Sequence, residues 1–200
     1  MFAIAADGSS GEERLTSSPS LQLVGSWSSG GDIVFEWDQD TQELYALSVH
    51  LPREPESLQT PGFGPKLSPD GRWLAYASGR PLEVFVQRFP DGGGKWQVSS
   101  GGGSNPVWSP DGREIFYQVV QQRTRFMVVP IETDPVFSAG SPRLLFEYAD
   151  VQASGTVGFP NYDVSPDGKT FVVVKRPPPV TEFNVVLNWF EELERRVPSR

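Results

Sequence analysis

The sequence predicts an all-β protein, a β-propeller of four-stranded blades, and three observations carry that prediction. The tetrad Ser-Pro-Asp-Gly occurs three times, at Ser68-Pro69-Asp70-Gly71, Ser109-Pro110-Asp111-Gly112 and Ser165-Pro166-Asp167-Gly168, each leading into an apolar, β-prone run. A worn fourth copy stands at Trp27-Ser28-Ser29-Gly30-Gly31-Asp32-Ile33-Val34-Phe35, so that Ser28 to Ser68 is 40 residues and Ser68 to Ser109 is 41. Intervals near 40 residues, each holding four short strands, suit a propeller blade. The 20 Gly and 19 Pro, with hardly any long stretch of Ala, Leu, Glu and Lys, favour short strands joined by tight turns.

The tetrad has the chemistry of a turn. Ser bonds locally at the first position, Pro fixes φ at the second, Asp suits the third and Gly closes the bend. These twelve residues are read as structural turn formers between the first and second strands of a blade, not as catalytic groups. They differ from the Asp-box of sialidase propellers, because Gly follows Asp with no residue between.

Taken in order, residues 1–20 read as a partial blade contributing two outer strands. The blade of 21–61 holds strands at Leu21–Val24, Ile33–Trp37 and Glu43–Val49, the last alternating with a period near two, after which Pro52 and Pro55 break the pattern. In the blade of 62–103 a strand ends at Leu67, and Trp73–Ala77, Glu83–Phe89 and Lys95–Ser99 follow. The blade of 104–157 repeats the plan with Asn105–Trp108, Glu114–Val120, Phe126–Ile131 and Arg143–Phe146. Ser109 to Ser165 is 56 residues, and the excess is assigned to a mobile surface loop at Ala149–Gly158.

Residues 158–188 make a second partial blade, with strands near Tyr162–Val164, Thr170–Lys175 and Phe183–Leu187. A terminal helix is expected over 189–197, capped by Asn188 with Glu191 as its capping-box partner and supported by the pairs Glu191–Arg195 and Glu192–Arg196. The two partial units together offer about five strands for four places. A segment of a larger propeller is therefore favoured over a closed four-bladed ring. An open segment leaves apolar blade faces bare and tends to self-associate.

A net charge of -8 and a pI near 4.7 oppose a nucleic-acid surface, which needs clustered Lys and Arg. The absence of Cys excludes disulfides and thiolate chemistry, and His50 is the single histidine, read as an ordinary loop residue. No run reaches the length of a membrane-spanning helix, and Met1–Gly11 lacks the features of an export signal, so no membrane insertion is expected. The Gly runs 92–94 and 101–103 precede neither a helix nor a Lys-Ser/Thr pair, so they join strands and hold no phosphate. Asp38-Gln39-Asp40 is read as a hairpin turn in preference to a calcium loop, since no further ligands at the known spacing complete it. Most of the six Trp are assigned to the packing of blades, with Trp37 and Trp96 the two to check for exposure. No cofactor or metal site is assigned.

The Ser-Pro-Asp-Gly corners with their apolar sequels resemble the WD40-like β-propeller repeats of the TolB type. The tail Asn184-Val185-Val186-Leu187-Asn188-Trp189-Phe190-Glu191-Glu192-Leu193 is similar to the C-terminal ends of bacterial serine/threonine protein kinases that carry such a propeller after a membrane span. So are Gly93-Gly94-Lys95-Trp96-Gln97-Val98-Ser99 and Val136-Phe137-Ser138-Ala139-Gly140. The resemblance covers essentially the whole chain and implies a sensing or binding platform for a protein or peptide partner, held outside the membrane. No kinase residue carries over, because the Gly-rich loop, His-Arg-Asp and Asp-Phe-Gly motifs are missing from these residues. The alternative function is a hydrolase acting on carbohydrate through two carboxylates that meet in space. The sequence nominates no such pair, and no Gly-x-Ser-x-Gly elbow occurs.

Overall fold

The computed structural model describes residues 1–37, 42–50, 54–121, 123–148, 161–175 and Arg196. It opens with a two-stranded sheet of β1 (Phe2–Ala3) and β2 (Glu13–Arg14). The first four-stranded sheet follows, in spatial order β3 (Gln22–Trp27), β4 (Asp32–Trp37), β5 (Glu43–Ser48) and β6 (Glu56–Pro61). The second is β7 (Phe63–Leu67), β8 (Trp73–Ser78), β9 (Glu83–Arg88) and β10 (Lys95–Gln97). In the third, β11 (Ser104–Trp108), β12 (Glu114–Val120) and β13 (Thr124–Glu132) are completed by β14 (Ser138–Ala139) and β15 (Arg143–Tyr148), both paired to β13. A two-stranded sheet of β16 (Tyr162–Val164) and β17 (Phe171–Val173) closes the series. All the pairings are antiparallel meanders, as in propeller blades.

The second strand of each blade shows how the sheets stack. Every residue of β8 is buried, because a strand sandwiched between two sheets has no solvent face and loses polar alternation. Its period-two geometry sorts the side chains instead. Trp73 and Ala75 join a cluster with Trp108, Ile115, Tyr117 and Val119 of the third blade, whereas Leu74 and Tyr76 join Val34 and Leu44 of the first. Strand β12 divides likewise, with Phe116 packing toward Tyr162, Val164 and Phe171. In β4, Ile33 and Phe35 face Met1, Ala3 and Leu15 of the opening segment. Four apolar clusters thus alternate with five sheets among the described residues.

The first strands of successive blades are neighbours and form the inner edge. Each of the three full ones carries a register shift, at Val24/Ser26, Phe63/Lys66 and Ser104/Val107, the mark of a β-bulge that increases local twist. Contact there is close: a Cβ on Gly25 would stand 2.3 Å from the Pro65 carbonyl oxygen.

Some elements differ from expectation. Strand β6 occupies Glu56–Pro61, directly after the prolines that end the apolar pattern, and pairs with β5 through an irregular register that lets Pro61 sit at its end. Blade one, despite its worn corner, is a complete four-stranded sheet. Trp27, which is not one of the two tryptophans singled out for exposure, is 60% exposed, because the face of β3 that carries Val24 and Trp27 is left uncovered. The Asp38–Asp40 turn, the loop of 149–158, the strand of 183–187 and the helix of 189–197 (Arg196 apart, which is helical) lie outside the described residues.

Candidate functional site

The three Ser-Pro-Asp-Gly corners share one bonding scheme. The amides of Ser68, Ser109 and Ser165 donate to the carbonyls of Trp73, Glu114 and Thr170, each at 2.8 Å, and the Gly71, Gly112 and Gly168 amides donate back to those serines' carbonyls. Each serine Oγ donates to Oδ1 of its own Asp70, Asp111 or Asp167 at 2.6, 2.6 and 2.5 Å, and accepts from the backbone amide five residues on. The same Oδ1 accepts the amide of Arg72, Arg113 or Lys169. The glycines sit at φ +71, +71 and +72°, where a side chain is strained.

At the worn corner, one residue shorter, Asp32 N donates to Ser28 Oγ at 3.0 Å and Ser28 N donates to Asp32 O at 2.8 Å. The corners run in a row from blade to blade. A Cβ on Gly112 or Gly168 would lie 3.6 or 3.7 Å from Pro69 or Pro110 of the preceding corner, and one on Gly71 would lie 3.6 Å from Ser28.

These bonds lower the affinity of the carboxylates for protons. The Ser109 and Ser165 hydroxyls hold Asp111 and Asp167 below the ordinary carboxylate range. At Asp70 burial pushes upward, but the hydrogen bonds from Ser68 and Arg72 outweigh it and the net shift is downward. The motif therefore brings serines and aspartates together in a hydrogen-bonded turn.

On the inner edge, Lys66 Nζ donates to Gly25 O at 2.6 Å, and burial lowers its pKa against the opposing pull of Asp163. The inner strands β3, β7, β11 and β16 carry that one carboxylate, Asp163, and it is exposed. Glu36, 9% exposed, accepts the Gly64 amide at 2.7 Å, and burial raises its pKa. Among the described residues, no group of three His, Asp or Glu side chains could hold a metal. Trp37 and Trp96 are half-buried, the first against Phe35 and Tyr45, the second against Trp73 and Phe137.

Opposite the corners, the β12–β13 hairpin and the end of β15 border an open crevice of about 440 Å³ lined by Gln121, Arg123, Arg125 and Glu147. Register sets its chemistry, because Arg125 lies directly across from Glu147 and from Val119, on the face turned toward blade two. Arg123 lies in the turn that leads into β13 and lines the same crevice. Arg125 Nε is buried and has no hydrogen-bond acceptor, and neither arginine forms an ion pair among the described residues. This crevice was not singled out from the sequence. Its one local signal is the alternation Arg123-Thr124-Arg125 in a chain of net charge -8.

No protein-family model matches the chain, and no curated protein matches it. Solved structures do. A protein from Agrobacterium tumefaciens provisionally assigned as TolB superposes with a TM-score of 0.62 at 22% identity, over 80% of this chain and 61% of that one. TolB from Acinetobacter baumannii gives 0.64 at 16% identity, over 89% of this chain and 43% of that one. The fold is a TolB-like β-propeller. A protein from Bacteroides uniformis provisionally assigned as a 6-phosphogluconolactonase gives 0.53 at 14% identity, over 86% of this chain and 56% of that one. The chain thus spans roughly half the length of the propeller proteins it matches, and at these identities the likeness is one of fold alone.

Proposed function

We propose that this TolB-like propeller is a non-catalytic binding module for a protein or peptide partner, of the sensor type attached to bacterial serine/threonine kinases. The observation that carries the reading is the contrast between the two ends of the blades. At one end the corner carboxylates accept turn hydrogen bonds, while at the other Arg123 and Arg125 border a crevice and form no ion pair among the described residues. Loops and strand ends displayed on a rigid sheet scaffold are where recognition concentrates. The kinase connection rests on the motif and tail resemblance.

The hydrolase reading keeps one point of support, the fold likeness to a protein assigned as a lactonase. Asp163 is the carboxylate that the inner strands offer it. Panning the purified chain against a displayed library of random peptides, with parallel assays on chromogenic glycosides and lactones, separates the two. Enrichment of a peptide class without turnover is the expected result. Turnover that disappears in Asp163→Asn would overturn the binding reading.

A further inference from the structure

We infer that the crevice at the β12–β13 hairpin is a subsite for a single carboxylate of an acidic peptide, held by Arg123 and Arg125 and limited to one negative charge by Glu147. This rests on the binding-module reading and deepens it. The guanidinium is a planar fork that recognises carboxylate by parallel N–H donors, and it cannot lose its proton. Two such forks, Arg123 in the turn and Arg125 on β13, line one crevice of about 440 Å³, room for a side chain and its neighbours.

Arg125 is the more buried of the two. Its Nε is buried, and its charge acts on the core residue Tyr117, whose pKa burial and then Glu83 raise while Arg125 pulls it down. A half-buried side chain has less conformational freedom to lose on binding than an exposed one, which favours affinity. Arg123 is exposed and adjustable. With Glu147 facing Arg125 across the ladder, the lining carries two positive charges and one negative among the described residues. A monoanion balances that sum, whereas a phosphate dianion leaves excess charge beside Glu147.

The full chain is titrated calorimetrically with acetyl-hexaglutamate amide, with the matching hexaglutamine and with a phosphoserine peptide, at low ionic strength. Hexaglutamate is expected to bind and hexaglutamine not to. Arg123→Ala should weaken binding about tenfold, the loss of one charge-assisted contact. Glu147→Gln should tighten it, and salt at about 0.3 M should weaken it. Arg125→Lys keeps charge and bulk but loses the fork, and should also weaken binding with its melting temperature unchanged.

Equal affinity in Arg123→Ala and Arg125→Lys overturns the inference, as does hexaglutamine binding as tightly as hexaglutamate. Phosphoserine binding more than tenfold tighter than glutamate overturns the monoanion assignment. Neutral library peptides indifferent to Arg123→Ala remove this subsite and leave the binding module standing. Turnover dependent on Asp163 removes the binding module itself.

Discussion

Ser109 illustrates how much a single hydroxyl does in this fold. It is 4% exposed, donates to Asp111 and accepts from Glu114 N, so Ser109→Ala removes two bonds and strands a backbone amide. That should cost roughly 1–2 kcal/mol and lower Tm by roughly 3–6 °C, read from a thermal melt against Ser199→Ala, which changes a tail serine outside the corners. The corner carboxylates also set an acid limit. Their folded pKa values lie below the unfolded value of 3.8, so the folded state holds fewer protons near that pH. The stabilisation is complete above 3.8 and drains as pH falls through the folded values. Denaturant midpoints from pH 5 to 2 should fall less steeply in an Asp111→Asn, Asp167→Asn double variant than in the parent. Glu36 has the opposite sign. Burial raises its pKa, so its contribution is intact below the unfolded value and is lost as pH rises through the folded one. Glu36→Gln keeps an acceptor for Gly64 N and should raise the denaturant midpoint at pH 8 but not at pH 4.

At the scale of the strand, legibility followed the range of the forces involved. The Ser68, Ser109 and Ser165 turns could be read because Pro, Asp and Gly fix their geometry within five residues. Strands β8 and β12 could be read from apolar density. Strand β6, Glu-Ser-Leu-Gln-Thr-Pro, could not, since it borrows its order from pairing with β5 and has little apolar content of its own. The Arg123–Arg125 crevice was hidden for a related reason: Glu147 reaches it only through the β13–β15 register, which shifts between Phe126 and Met127. Gly25 is another long-range requirement that one sequence does not announce. Its absent Cβ is what lets blade two's Pro65 approach, so Gly25→Ala should cost roughly 1–3 kcal/mol by overpacking. Gly11→Ala, with nothing within 4 Å of the added carbon, should stay within about 0.5 kcal/mol of the parent. Urea denaturation of the two variants gives the comparison.

Across the whole molecule, each apolar cluster is shared by two sheets, so among the described residues a sheet at the end of the series has one face without a neighbouring sheet. On β17, Phe171 and Val173 pack toward blade three, while Val172 and Val174 are 65% and 52% exposed on the other side. On the opening sheet, Met1 and Ala3 pack toward blade one, while Phe2 and Ile4 are 59% and 66% exposed. Sheets β1–β2 and β16–β17 do not pair with each other among the described residues. Both bare faces carry the alternation that elsewhere in the molecule buries a side chain against the next sheet, so each suits the other in a second copy. Such head-to-tail contact is not self-closing between two protomers and grows with concentration. Sedimentation velocity should show mass-average size rising with protein concentration, and Val172→Glu should suppress the rise with little change in Tm, because the site is solvated in the monomer. A chain that sediments as a monomer at every concentration would exclude this contact, whereas association that persists in Val172→Glu would place it on another surface.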